Sequence, residues 1–139
     1  MKVLFVAGFG PILRDEAAST AFYRDTLGLP FEEDDGYFHT DQVPGVKGFA
    51  LWPLSQAARS CFGVDTWPED VPIPQAWLEF DVDDIEAATA ELAARGYKLL
   101  VTARTEPWGQ TVTHLLGPEG ILIGITVTPW MRDTPPPAQ

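Results

Sequence analysis

Cysteine is almost absent from this chain of 139 residues: Cys61 stands alone. One thiol cannot close an internal disulfide or form a Cys-x-x-Cys redox or metal motif. With no histidine near it in sequence, Cys61 is expected to be a buried apolar residue. Basic residues are also few. Nine Lys and Arg face twenty Asp and Glu, a net charge of −11. That charge repels nucleic acid and anionic membrane surfaces, so neither is an expected partner. The acidic residues are spread along the chain, as on a solvated surface, so acidity excludes partners more than it specifies one. No apolar run approaches the roughly 20 residues that a membrane-spanning helix needs. The apolar start is broken by Gly8 and Gly10 and lacks a small-residue cleavage pattern, so a cytoplasmic location is expected.

What the chain does have is an apolar content of 45%, enough for a buried core in a domain of this length. Two helices are predicted, over 15–27 and 84–95. Gly28 and Gly96 follow them as stop residues, and Asp83 or Asp84 is placed to cap the second. Ala18 and Phe22 in the first, and Ile85, Ala88 and Leu92 in the second, recur at helical spacing. Strand-like runs occupy 3–9, 30–33, 36–40 and 47–54 in the first half. In the second they occupy 76–82, 97–102, 111–116 and 121–128. Turn signals separate them at Asp34-Asp35-Gly36, Pro44-Gly45 and Gly117-Pro118-Glu119-Gly120.

Each half therefore reads strand, helix, three strands, and the helix-to-Gly pattern repeats after about 68 residues. Residues 1–133 are expected to form one domain of two modules, about 1–59 and about 76–133. The stretch 60–75, with Pro68, Pro72 and Pro74, reads as the linker between them, and 134–139, with three prolines, as a flexible tail. The fold class is α+β: two βαβββ modules forming curled mixed sheets around a cleft, with helices on the outer face.

The segment Asp15 to Leu29, with Ser19-Thr20-Ala21-Phe22-Tyr23-Arg24-Asp25-Thr26-Leu27-Gly28, resembles the first helix of the glyoxalase/bleomycin-resistance group. That group belongs to the vicinal oxygen chelate superfamily. Phe80-Asp81-Val82-Asp83-Asp84-Ile85-Glu86-Ala87-Ala88 is similar to its second-half counterpart. Pro107-Trp108-Gly109-Gln110 and Gly117-Pro118-Glu119-Gly120 resemble its C-terminal hairpin and turn. The resemblance implies a small-molecule cleft and a homodimer. In metal-dependent members it also implies His or Glu ligands on cavity-facing strands.

The positions that the resemblance assigns to those ligands are Gly8, a residue near 49–52, Trp77 and Gly124. Glycine has no donor atom and an indole N–H has no lone pair to offer. A divalent transition metal needs three or more converging N, O or S ligands. No metal and no other cofactor is therefore expected. The residues that could relocate a metal site are His39, His114, Glu79 and Asp81. By strand alternation Trp77, Glu79 and Asp81 share one face, which directs Glu79 toward the cleft. Nothing in the sequence brings His39 and His114 together.

Aromatic residues stand where ligands would be. Trp52, Trp77 and Trp108 lie on or beside the cavity strands, with Tyr37, Phe38 and Phe49 as further contributors. Aromatic walls hold flat or apolar molecules through buried area, with stacking adding about 0.5–1.5 kcal/mol per pair. The same rings could equally fill a core. The expected binding set is Trp52, Trp77, Glu79, Trp108, His114, Phe38 and Phe49. Trp77→Ala is expected to disturb ligand affinity more than Trp67→Ala in the linker.

Three functions compete. The first is metal-independent binding or sequestration of a small aromatic or apolar organic molecule, as in bleomycin-resistance proteins, with a cation favoured by the acidity. The second is a lyase, isomerase or dioxygenase with a relocated metal or a metal-free acid/base site at Glu79 or His114. The third is a structural or regulatory protein whose pocket is vestigial.

Overall fold

The computed structural model describes residues 1–132; the expected tail at 134–139 lies outside them. Eight strands join in one open mixed sheet, in the order β2-β3-β4-β1-β5-β8-β7-β6. The first module supplies β1 (Val3–Leu13), β2 (Glu32–Asp34), β3 (Tyr37–Thr40) and β4 (Phe49–Pro53). The second supplies β5 (Ala76–Val82), β6 (Leu99–Thr105), β7 (Thr111–Leu116) and β8 (Leu122–Val127). Within each module the first strand pairs parallel with the last, β1 with β4 and β5 with β8. The modules meet at the antiparallel β1–β5 pair, which makes one continuous sheet of the two.

Helix α1 (Glu16–Thr20) continues as a π-helical turn over Ala21–Thr26, and α3 is Ile85–Ala94. Asp15 and Asp84 cap them: each Oδ1 accepts from the backbone N–H three residues on, at 3.0 Å. These caps satisfy donors that have no partner inside the helix. Helix α3 covers one face of the second module through Ile85 and Ala88, over Val82, Leu115 and Ile125.

A third helix, α2 (Leu54–Phe62), occupies the end of the expected fourth strand and the start of the expected linker. Pro53 precedes it, and Gly63 ends it at a φ of 77°. It does not join the helices of the outer face. Ala57, Ala58 and Cys61 pack with Trp52, Trp77, Trp67 and Leu122 on the opposite face. There α2 spans the two modules, because Arg104 Nη1 on β6 donates to the carbonyls of Arg59 (3.1 Å) and Ser60 (3.0 Å). The expectation that all helices lie outside is thus corrected for α2, whose apolar side is buried under the cavity. Strand β1 is also longer than expected. It runs through Gly8, Gly10 and Pro11, since Pro11 pairs with Ala76 without needing an N–H to donate.

Candidate functional site

The sheet face that carries α2 holds a cavity of about 1010 Å³. Its walls come from β3, β4, α2, the β6–β7 hairpin and the turn after β8. Across the middle of the sheet Gly8, Glu79, Gly124 and His114 pair in register, one on each of β1, β5, β8 and β7. Paired residues project to the same face, so the two glycines leave room that their neighbours fill. A Cβ on Gly124 would lie 2.8 Å from Glu79 Cγ, which shows the Glu79 side chain leaning over that glycine.

The register also tests whether a metal fits. A Cβ on Gly8 would meet the Gly48 carbonyl oxygen at 2.8 Å and the Trp77 ring at 3.1 Å. No longer side chain enters there without backbone movement. Among the described residues no three His, Cys, Asp or Glu side chains converge as a metal would require. The residues present do not fit the divalent ion that the resemblance implies for metal-dependent members.

Glu79 stands at one end of a hydrogen-bond chain whose centre is Gln110. Gln110 Nε2 donates to its Oε1 at 3.0 Å and to Thr128 Oγ1 at 2.8 Å. Trp108 Nε1 donates to Gln110 Oε1 at 3.1 Å, which ties the exposed indole at the hairpin tip to the cavity floor. Beneath them lies the fully buried Asp81. It accepts from the Thr128 N–H at 2.8 Å and from Arg132 Nε at 3.1 Å. This clasp holds the 3-10 turn Pro129–Met131 over the mouth, where Trp130 and Met131 join the lining. Burial pushes the Glu79 carboxyl up to about 7; the Gln110 hydrogen bond opposes that rise, while the charges of Asp81 and Glu106 reinforce it.

A second polar group sits where α2 meets β7. Ser60 Oγ donates to Glu106 Oε1 at 2.7 Å and lies 3.4 Å from His114 Nε2. Arg104 Nε is 3.7 Å from the same Glu106 oxygen. Burial pushes the His114 imidazole down to about 4, so it is neutral at pH 7. The buried Cys61 thiol, also raised by burial and by Glu106, is pushed up to about 12 and is inert as a nucleophile at neutral pH.

Of the residues singled out in the sequence, Trp52, Trp77, Glu79, Trp108 and His114 all line this cavity. Trp52 and Trp77 do both things asked of them. They pack edge to face at 6.1 Å within the core and present their free side to the cavity. Phe49 borders the cavity, yet its ring packs with Phe9 (5.4 Å), Tyr23 and Phe31. Phe38 lies apart from it, against Phe31 and beneath Arg24, in a depression beside α1. Its neighbours Tyr37 and His39, stacked at 5.3 Å, line the cavity instead, as alternation along β3 dictates. His39 and His114 reach the cavity from strands five places apart in the sheet order and do not meet. Trp67 is buried against Phe62, and its indole donates to the carbonyls of Val71 (3.0 Å) and Pro72 (3.1 Å). It is therefore a core residue and no neutral control for Trp77.

Sequence reasoning missed Ser60, Glu106 and Gln110. Gln110 was reachable, because it closes the motif that begins at Pro107. Ser60 was hidden by the unforeseen helix, and Glu106 by an expected strand that stopped too early.

Paired βαβββ modules, joined at their first strands over a cavity, define a two-module cleft protein. The chain belongs to the Glyoxalase/Bleomycin resistance protein/Dioxygenase superfamily, whose model matches residues 12–125. Similar solved structures include a glyoxalase/bleomycin resistance protein/dioxygenase superfamily member from Vibrio splendidus 12B01. It is 19% identical, with a TM-score of 0.58 over 88% of this chain and 97% of that one. The methylmalonyl-CoA epimerase of Mycobacterium tuberculosis is 21% identical, with a TM-score of 0.54 over 89% and 87%. A variant of the Streptomyces coelicolor methylmalonyl-CoA epimerase, in complex with 2-nitronate-propionyl-CoA, is 16% identical, with a TM-score of 0.52 over 92% and 96%. At these identities the likeness establishes the fold. A search of curated proteins returned no match.

Proposed function

We propose that the protein binds a small, flat organic cation in this cavity without a metal. The observation that carries the reading is Glu79: a carboxyl on the floor of a cavity walled by Trp52, Trp77 and Trp108, at positions where a metal site would need other donors. Aromatic faces attract a cation, and a carboxylate in a partly desolvated site attracts it more strongly than one in water. Glu32, Asp34, Asp35 and Asp41 on the first-module side of the lining add negative charge that would draw a cation in. Phe38 is left out of the set because its ring lies elsewhere. The homodimer implied by the family belongs to the same reading, and a partner would cover the half-exposed Val3, Leu4, Val6 and Phe9 of β1.

The test is a tryptophan-fluorescence titration with two tricyclic probes of like shape, the 9-aminoacridinium cation and the anthracene-9-carboxylate anion. The cation is expected to quench saturably, and the anion is not. Affinity for the cation should rise as pH passes from 6 to 8 and Glu79 ionises, a rise that Glu79→Gln should abolish. Equal binding of both probes, or binding of neither, would overturn the reading.

A second reading is metal-free acid–base isomerisation, favoured by the same carboxyl. A group that titrates near 7 is matched to proton transfer at neutral pH. Turnover of a carbon acid that Glu79→Gln abolishes, while probe binding persists, would favour it over sequestration.

A further inference from the structure

The hydrogen-bonding inventory of the cavity narrows its ligand further, on the reading that a flat organic cation binds there. Several of the inner donors are already committed. Trp77 Nε1 donates to the Ala50 carbonyl at 3.2 Å, and Trp108 Nε1 to Gln110. Gln110 donates to Glu79 and Thr128, Ser60 to Glu106, and Arg104 to the carbonyls at the end of α2. At the mouth, Lys47 lies over the Phe5 ring and Arg59 is paired with Asp65. The Tyr37 hydroxyl and the Trp52 and Trp130 indoles are the lining donors left over, single neutral groups that carry no charge.

The acceptors are left over. Gln110 engages one Glu79 oxygen, and Ser60 and Arg104 gather at one Glu106 oxygen. The second oxygen of each carboxylate has no partner among the described residues and is not sealed from the cavity. His114 adds nothing to these two, because its Nδ1, the one buried side-chain polar atom without a partner among the described residues, is sealed from the cavity. A carboxylate oxygen left unpaired as a ligand covers it costs free energy, and a ligand that donates to it avoids that cost.

We infer that the ligand is a cation with several N–H bonds, an amidine, a guanidine or a protonated amino-heteroaromatic, that donates to Glu79 and Glu106. A quaternary ammonium of the same shape offers charge but no donor, and leaves both acceptors unpaired. This is discrimination by hydrogen bonding, which exceeds what apolar fit provides.

The experiment compares 9-aminoacridinium with 10-methylacridinium, a cation of the same ring system without N–H bonds, by calorimetric titration of the full chain. The amino cation is expected to bind roughly tenfold or more tightly, the scale of a charge-assisted hydrogen bond. In Glu79→Gln and in Glu106→Gln, both nearly isosteric, both cations should weaken with the lost charge, the amino cation the more, so that ratio should shrink toward one. Equal affinities in the parent protein would overturn the donor requirement and leave the cation reading standing. Binding of neither probe would overturn the cation reading itself. A ratio unchanged in both variants would overturn the assignment to these carboxylates.

Discussion

Gly10 and Gly124 belong to the two strands that flank β5, yet what surrounds each differs. A Cβ at Gly10 would fall 1.9 Å from the Ala50 carbonyl oxygen, a backbone atom fixed by the β1–β4 pairing. A Cβ at Gly124 would instead meet Glu79 Cγ at 2.8 Å, part of a side chain that can rotate away. Gly10→Ala should therefore cost about 3 kcal/mol or more, because strands must separate to admit it. Gly124→Ala should cost about 1 kcal/mol and act instead on the ligand, by driving Glu79 off the floor and breaking its bond from Gln110. Urea denaturation with the probe titration on both variants separates the two effects. If Gly124→Ala left probe affinity unchanged, Glu79 would not be the floor of the site.

At the scale of elements, α2 depends on side-chain donors from the other module. Arg104 supplies hydrogen bonds to the last carbonyls of α2, where a helix leaves acceptors unsatisfied. Arg104→Met keeps the apolar stem and removes those donors, so stability should fall by about 1–3 kcal/mol. The amides of α2 should exchange with solvent faster than those of α3, measured by hydrogen exchange against the parent. Equal protection of α2 before and after the change would mean that packing of Ala57, Ala58 and Cys61 alone holds it. The same helix shows where legibility ended. Helices α1 and α3 announced themselves through a capping Asp, an apolar spacing and a Gly stop, and β5 through alternation that directed Trp77 and Glu79 to one face. Helix α2 has no capping side chain and begins at a proline within an apolar run that reads equally well as strand. Its identity comes from the tertiary contact with β6, which a linear pattern does not contain. The pairing of Glu79 with Gln110 and of His114 with Ser60 is absent from the linear pattern for the same reason, since 31 and 54 residues separate the partners.

For the whole molecule, the two perturbed groups set opposing pH dependences of stability. Glu79 has a folded value of about 7 against 4.5 in an unfolded chain. Its folded state holds the extra proton, so its contribution is fully present below 4.5 and is lost as pH rises through 7. His114 has a folded value of about 4 against 6.5. Its folded state excludes a proton, so its contribution is fully present above 6.5 and is lost as pH falls through 4. Between about 4.5 and 6.5 the folded protein gains one proton at Glu79 and gives one up at His114, and these two slopes cancel. A plateau of stability is expected there, with Glu79 pulling it down from 6.5 to 7 and His114 from 4.5 to 4. Glu79→Gln removes one slope, so its stability should climb with pH across the former plateau. His114→Asn removes the other, so its stability should decline there. Urea midpoints from pH 4 to 8 on the three proteins test this, and a Glu79→Gln profile parallel to the parent would show that Glu79 does not titrate near 7. The same proton links stability to binding: the ionised Glu79 that a cation requires is the form that burial disfavours, so bound ligand should stabilise the fold most above pH 7.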